Sequence, residues 1–154
     1  MDAPHRCPHR RPDLAQYHPR ALPEAIALDE RVFGARRTAV YRALGQHLHA
    51  GAVVRDPQGR MIAIALAIQR TNMLVVGPVI APHAKMAADL VHAISCGWDG
   101  LVRIDVPGQP AEFEALLGEM GFSAAMESPI MVMGAQTLPG QRQYLFGMVD
   151  PVFG

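Results

Sequence analysis

Apolar residues recur at helical spacing behind Pro23, with Ala25, Ile26, Leu28, Val32 and Phe33 on one stripe and Gly34 as a stop, which predicts a helix over 23–34. A second helix is predicted from Thr38, read as its N-cap. Its stripe is Val40, Tyr41, Leu44 and Leu48, and its end is expected near Gly51. The period then changes to that of strands. Residues 52–55 lead through Asp56-Pro57-Gln58-Gly59 into 61–69, and the short Arg70-Thr71-Asn72 turn leads into 73–80. Because 61–69 is apolar at nearly every position, both of its faces must be covered, which puts it in the middle of a sheet.

The third of these strands contains Gly77-Pro78. Proline cannot donate to a ladder and glycine weakens one, so the dipeptide marks an edge, a bulge or a local split. A helix over 83–95 follows, with Met86, Leu90, Val91 and Ile94 on its buried side. Then come a strand over 101–106, a helix over 111–120 carrying Phe113, Leu116, Leu117 and Met120 inward, and strands over 124–133 and 143–148. The strand-helix-strand passage from Met73 to Val106 is a crossover and implies a parallel pair. The expected fold is α/β (α+β), a mixed, mostly antiparallel sheet flanked by helices.

With 154 residues the chain accommodates one main core. Residues 1–22, rich in Pro, His and Arg without hydrophobic period, are expected to be a disordered arm, leaving 23–154 as the domain. Fourteen basic and 14 acidic residues, with Lys85 the single lysine, argue against a nucleic-acid partner, which would require several cations on phosphates. The longest apolar runs fall well short of the roughly 20 residues of a membrane helix, and no apolar leader is present, so the expectation is a cytoplasmic protein. Cys7 and Cys96 do not make a disulfide framework and are read as free thiols. His5, Cys7 and His9 alternate, but a structural metal site needs four ligands on a rigid frame, so no metal is expected.

Several weak signals in order carry a family resemblance: Gly77-Pro78-Val79-Ile80-Ala81-Pro82 entering a helix, Arg103-Ile104-Asp105-Val106-Pro107, and Met120-Gly121-Phe122 closing the last helix. In this order they resemble the GNAT acetyltransferase superfamily. Asp29 to Gly34 with Arg37, and the tail from Tyr144-Leu145-Phe146-Gly147, resemble more narrowly the C-terminal domain of two-domain YitH/HolE-type acetyltransferases. The resemblance implies an acetyl-CoA-dependent N-acetyltransferase acting on a small-molecule or other amine acceptor. In that superfamily the strand before the crossover helix splays from its parallel neighbour, and its free backbone groups bind the pantetheine arm of acetyl-CoA. Val79, Ile80 and Ala81 fall on that strand, and Ala84 and Lys85 in the pyrophosphate loop that follows.

That loop reads His83-Ala84-Lys85-Met86-Ala87-Ala88 and has no glycine to let backbone N–H groups close around a pyrophosphate. Counting back from Gly121-Phe122, the superfamily's tyrosine acid falls on Leu117 and its asparagine on Pro110, neither of which exchanges a proton. The substitutes on offer are Tyr144 and Asp105 first, then Glu127 and His83. The alternative reading is a non-catalytic GNAT-fold companion or dimerisation module. It would act as a homodimer built on the apolar stretch 124–133 or as the neighbour of a companion acetyltransferase domain. The transferase reading requires the backbone at Gly77-Pro78 to part from its neighbour widely enough to admit the cofactor.

Overall fold

The computed structural model describes residues 11–108, 110–125, 127, 133–134 and 136–149. Its elements are β1 (Leu14–Gln16), α1 (Leu22–Phe33), α2 (Thr38–Gln46), β2 (Leu48–Arg55), β3 (Met61–Arg70), β4 (Met73–Ile80), α3 (Ala84–Ser95), β5 (Leu101–Ile104), α4 (Ala111–Glu119) and β6 (Leu145–Gly147). Short 3-10 turns occupy Pro19–Ala21 and Arg142–Tyr144. The sheet runs β1-β2-β3-β4-β5, with β6 attached to β4. The β4–β5 pair is parallel and the other strand pairs are antiparallel, as the expected crossover requires.

The apolar run of β3 sorts by parity, as a strand side-chain period of two demands. Ala63, Ala65 and Ala67 join the core beneath α3 and α4, while Ile64, Leu66 and Ile68 join the core beneath α1 and α2. Both faces of β3 are therefore covered. The alanine face allows close approach of α3, which sends Met86, Leu90, Val91 and Ile94 into the same core. Gly34 ends α1 in the left-handed region at φ 90°, where its N–H donates to the Glu30 carbonyl.

Five expectations need correction. Helix α2 stops at Gln46 instead of near Gly51, because from Leu48 onward the backbone pairs with the long β3, starting at Leu48↔Ile68. The arm expected over 1–22 joins the fold from Leu14. β1 pairs with Ala52 to Val54, and Tyr17 packs over Gly51, where a Cβ would sit 2.7 Å from that of Tyr17. Cys96 is disulfide-bonded and so carries no free thiol; the segment ahead of α1 returns to the domain instead of trailing from it, and Cys7 lies outside the described residues. Of the strand expected over 124–133, residues 124, 125, 127 and 133 are exposed and in no strand, and the remainder falls almost wholly outside the described residues.

The last strand is shorter than expected. Residues 142–144 close a 3-10 turn in which the Tyr144 N–H donates to the Gln141 carbonyl, and extended backbone begins at Leu145. Among the described residues no helix is long and apolar enough to cross a membrane. No group of three His, Cys, Asp or Glu among them could hold a metal ion. His5, Cys7 and His9 lie outside the described residues.

Candidate functional site at the split between β4 and β5

The two strands run paired from Met73↔Leu101 to Val76↔Ile104 and pair no further. On the other side of β4 the β3 register shifts between Ala65 and Ala67, so that Gly77 and Pro78 face the single residue Leu66 across a bulge. The peptide between them is cis. The ladder thus parts where the Gly-Pro interruption predicts.

The opening is filled by the chain's own C-terminal strand. β6 lies antiparallel to the far half of β4, with Val79 opposite Gly147 and Ile80 opposite Leu145. The Ala81 N–H donates to the Tyr144 carbonyl at 3.1 Å, and the Met148 N–H donates to the Asp105 carbonyl at 2.8 Å, bridging to the end of β5. Both walls of the split are thereby hydrogen-bonded to one inserted segment. Two glycines make room for it. A Cβ on Gly77 would lie 1.9 Å from the Met148 carbonyl oxygen, and one on Gly147 would lie 2.9 Å from Val79 Cγ2 and 3.2 Å from Ile104 Cδ1.

The inserted strand contributes to both cores. Phe146 meets Phe113 edge to face, ring centroids 5.0 Å apart, under α3 and α4, while Leu145 joins the α1/α2 side. At about 1.5–3 kcal/mol for each large apolar side chain, withdrawing these two costs about 3–6 kcal/mol. The segment is thus anchored in both cores. The hollow that borders the split, between Val75, Arg103, Asp105 and Val149, measures about 70 Å³, well below the 300 Å³ at which small-molecule sites begin. A larger cavity of about 310 Å³ lies away from the split, lined by Tyr17, Leu22, Tyr41, Arg42 and Leu48.

The sequence-derived candidates gather around this insertion. Val79 and Ile80 pair with β6, Ala81 donates to Tyr144, and Asp105 accepts from Met148 through its backbone. The Asp105 carboxylate receives Arg103 at 3.0 Å. Tyr144 is half-buried, and Glu127 is exposed. At the start of α3, His83 caps the helix, its Nδ1 accepting from the Met86 N–H at 3.2 Å, so one of the donors a phosphate would use already has a partner. Ala84 is buried, and Lys85 is exposed and paired with Asp89 one turn on, which also faces Arg11 at 3.5 Å. Leu117, at the position of the superfamily's tyrosine, is buried beside Phe113 in the core.

Sequence reasoning missed the self-insertion of β6. A usable signal was present: two glycines, Gly77 and Gly147, in otherwise apolar strands, where each lets another backbone approach. It also left unexplained the Asp29-to-Arg37 motif. Asp29 is fully buried and receives Arg37 Nε at 2.9 Å and Nη2 at 2.5 Å in a two-pronged ion pair. The Arg37 guanidinium stacks on Phe33 at 3.6 Å, and Arg142 reaches the same ring at 4.0 Å while donating from Nε to the Phe33 carbonyl. Burial, then the Arg37 charge, lowers the pKa of Arg142. The cluster fastens the residues just before β6 to the end of α1.

Tyr41 completes it. Its hydroxyl is buried near Asp29 but outside good hydrogen-bonding geometry, and burial, followed by the Asp29 charge, raises its pKa well above the ordinary tyrosine value. The neutral phenol is therefore favoured by folding. The stability tied to it is complete below about pH 10 and is lost as pH rises beyond that, where the unfolded chain ionises first. Tyr41→Phe removes an unsatisfied polar atom. Denaturant melts should show it within about 1 kcal/mol of the parent at pH 7 and less sensitive to alkali.

Comparison with known proteins gives a family match, a curated relative and a solved structure. The model of the family described as "Acetyltransferase (GNAT) domain" matches residues 25–147. An uncharacterized N-acetyltransferase, YitH, of Bacillus subtilis (strain 168) is 27% identical over 142 residues, covering 92% of this chain and 50% of the relative. The chain thus spans about half the length of that curated relative. Among solved structures, a GNAT family N-acetyltransferase (YhbS) from Escherichia coli in complex with CoA aligns with a TM-score of 0.46 at 19% identity, covering 55% of this chain and 57% of that one.

Proposed function

Because the chain belongs to the GNAT acetyltransferase domain family, whose members use acetyl-CoA, we propose that it is a non-catalytic companion or dimerisation module of that family. The observation that carries this reading is the seating of β6 on Val79 and Ile80, with Met148 bonded to Asp105. The β4 edge that would bind a pantetheine arm is hydrogen-bonded to protein, and the space over Gly77 holds the Met148 backbone. Residues in this arrangement do not fit the cofactor. The buried Leu117 and the capped start of α3 support the same reading, since neither supplies an acid or an open phosphate cradle.

The second reading is an acetyl-CoA-dependent N-acetyltransferase acting on an amine. It would hold the cofactor along Val79, Ile80, Ala81, Ala84 and Lys85 and draw its proton transfers from Tyr144 and Asp105. The family match across residues 25–147 favours it. Calorimetry with acetyl-CoA, and with desulfo-CoA as control, separates the two. Displacing β6 at a cost of about 4 kcal/mol would weaken an intrinsically micromolar ligand about a thousandfold, so the module reading expects affinity no tighter than about millimolar. Micromolar binding that is weakened by Lys85→Glu would transfer the assignment to the enzyme.

A further inference from the structure

The cavity of about 310 Å³ lies where the segment after β1, the start of α1, the last turns of α2 and the first residue of β2 meet. Its size reaches the range of small-molecule sites, which begins near about 300 Å³. Among the described residues it shares no wall with the hollow beside Arg103 and Asp105. The walls are mainly apolar, from Tyr17, Leu22, Tyr41 and Leu48. Both tyrosines are buried in the core between the sheet and the first two helices, so these walls are fixed by packing.

Two polar side chains complete the lining. Arg42 and Gln46 stand four residues apart on α2 and so share one of its faces. Both are exposed, and among the described residues neither makes an ion pair or a side-chain hydrogen bond. Gly45 stands beside them on the lining. Its φ is not left-handed, α2 is closed by His47, and a Cβ at Gly45 would meet no atom within 4 Å. Neither turn geometry nor close packing therefore calls for glycine there, although glycine weakens a helix relative to alanine. Its missing side chain leaves the wall beside Arg42 open.

We infer that this cavity binds a small carboxylic acid with an aromatic or branched apolar body, the body lying against the tyrosine and leucine walls and the carboxylate on Arg42, with Gln46 beside it. A planar guanidinium meets a carboxylate with two parallel N–H donors. The attraction strengthens where the ligand's own body keeps water from one side. An amine of the same shape would set like charges together, which separates this site from that of an amine acceptor. The site stands however the split is read, since the two have no lining residue in common among those described.

The test is amide NMR of the full chain titrated with phenylacetate, with phenethylamine as its cationic counterpart. The amides of Leu22, Gly45, Gln46 and Leu48 should shift while those of Val79, Asp105 and Met148 stay still, with a dissociation constant of about 0.1–1 mM for a ligand of this size. Phenethylamine should bind at least about tenfold more weakly, and Arg42→Glu should weaken phenylacetate by a similar factor. Because Arg42 is exposed, that variant should melt within about 2 °C of the parent. Gly45→Leu puts a side chain into the opening and should abolish the shifts at Leu22 and Leu48, with circular dichroism reporting the fold. No saturable shift below about 10 mM, shifts at the split instead, equal affinity for acid and amine, or undiminished binding by Arg42→Glu would each overturn the inference.

Discussion

Asp29→Ala should lower the stability of this domain by about 3–5 kcal/mol, because it strips a buried guanidinium of its two-pronged acceptor. Asp29 is fully buried and the Arg37 side chain is 7% exposed, so water cannot replace the lost carboxylate. The damage extends beyond α1 and α2. Arg37 stacks on Phe33, whose ring and carbonyl hold Arg142, and the Gln141 N–H donates to the Arg31 carbonyl in the same corner. Loosening the pair should therefore loosen the entry to β6. In thermal melts the loss corresponds to a drop of roughly 10 °C. The paired variant Asp29→Leu/Arg37→Met removes both charges and should recover most of the deficit. A single variant costing under about 1 kcal/mol would mean that the pair is solvated.

Gly77→Ala is the second large effect, and it acts on the split directly. The added methyl would fall 1.9 Å from the Met148 carbonyl oxygen, a backbone atom held by the bridge to Asp105, so neither side can yield by a rotamer change. Either β4 or the end of β6 must move. Displacing β6 would expose Leu145 and Phe146, and a loss of about 3 kcal/mol is expected. Limited proteolysis should then cut at Leu145 to Met148, whose backbone the parent holds against β4 and β5. A variant melting within about 2 °C of the parent, with an unchanged cleavage pattern, would show that the Met148 backbone does not pass over Gly77.

Much of the fold was legible because its signals are local. The stripe from Ala25 to Phe33 ending at Gly34, the unbroken apolarity of 61–69 and the Gly77-Pro78 interruption each reflect a rule of helix or strand geometry, and each appears where it was expected. What escaped depended on long-range pairing. Leu48 lies on a helical stripe yet begins a strand, because β3 offers it a ladder. Leu14 to Gln16 carry no period long enough to read, and become a strand because β2 has a free edge and Gly51 leaves room for Tyr17. The site divided in the same way. The parting of β4 from β5 was readable from one dipeptide, whereas the identity of what enters it was not, since nothing local in Leu145-Phe146-Gly147 says which edge that strand will join.

The central claim is that β6 occupies the β4 edge as permanent structure, and site-resolved amide hydrogen exchange with and without millimolar acetyl-CoA tests it most directly. The Ala81 and Met148 amides, which donate to Tyr144 and Asp105, should exchange only through near-global unfolding and at rates indifferent to the cofactor. Fast exchange at these two amides, or protection there that changes when acetyl-CoA is added, would contradict the account and reopen the split as a cofactor site.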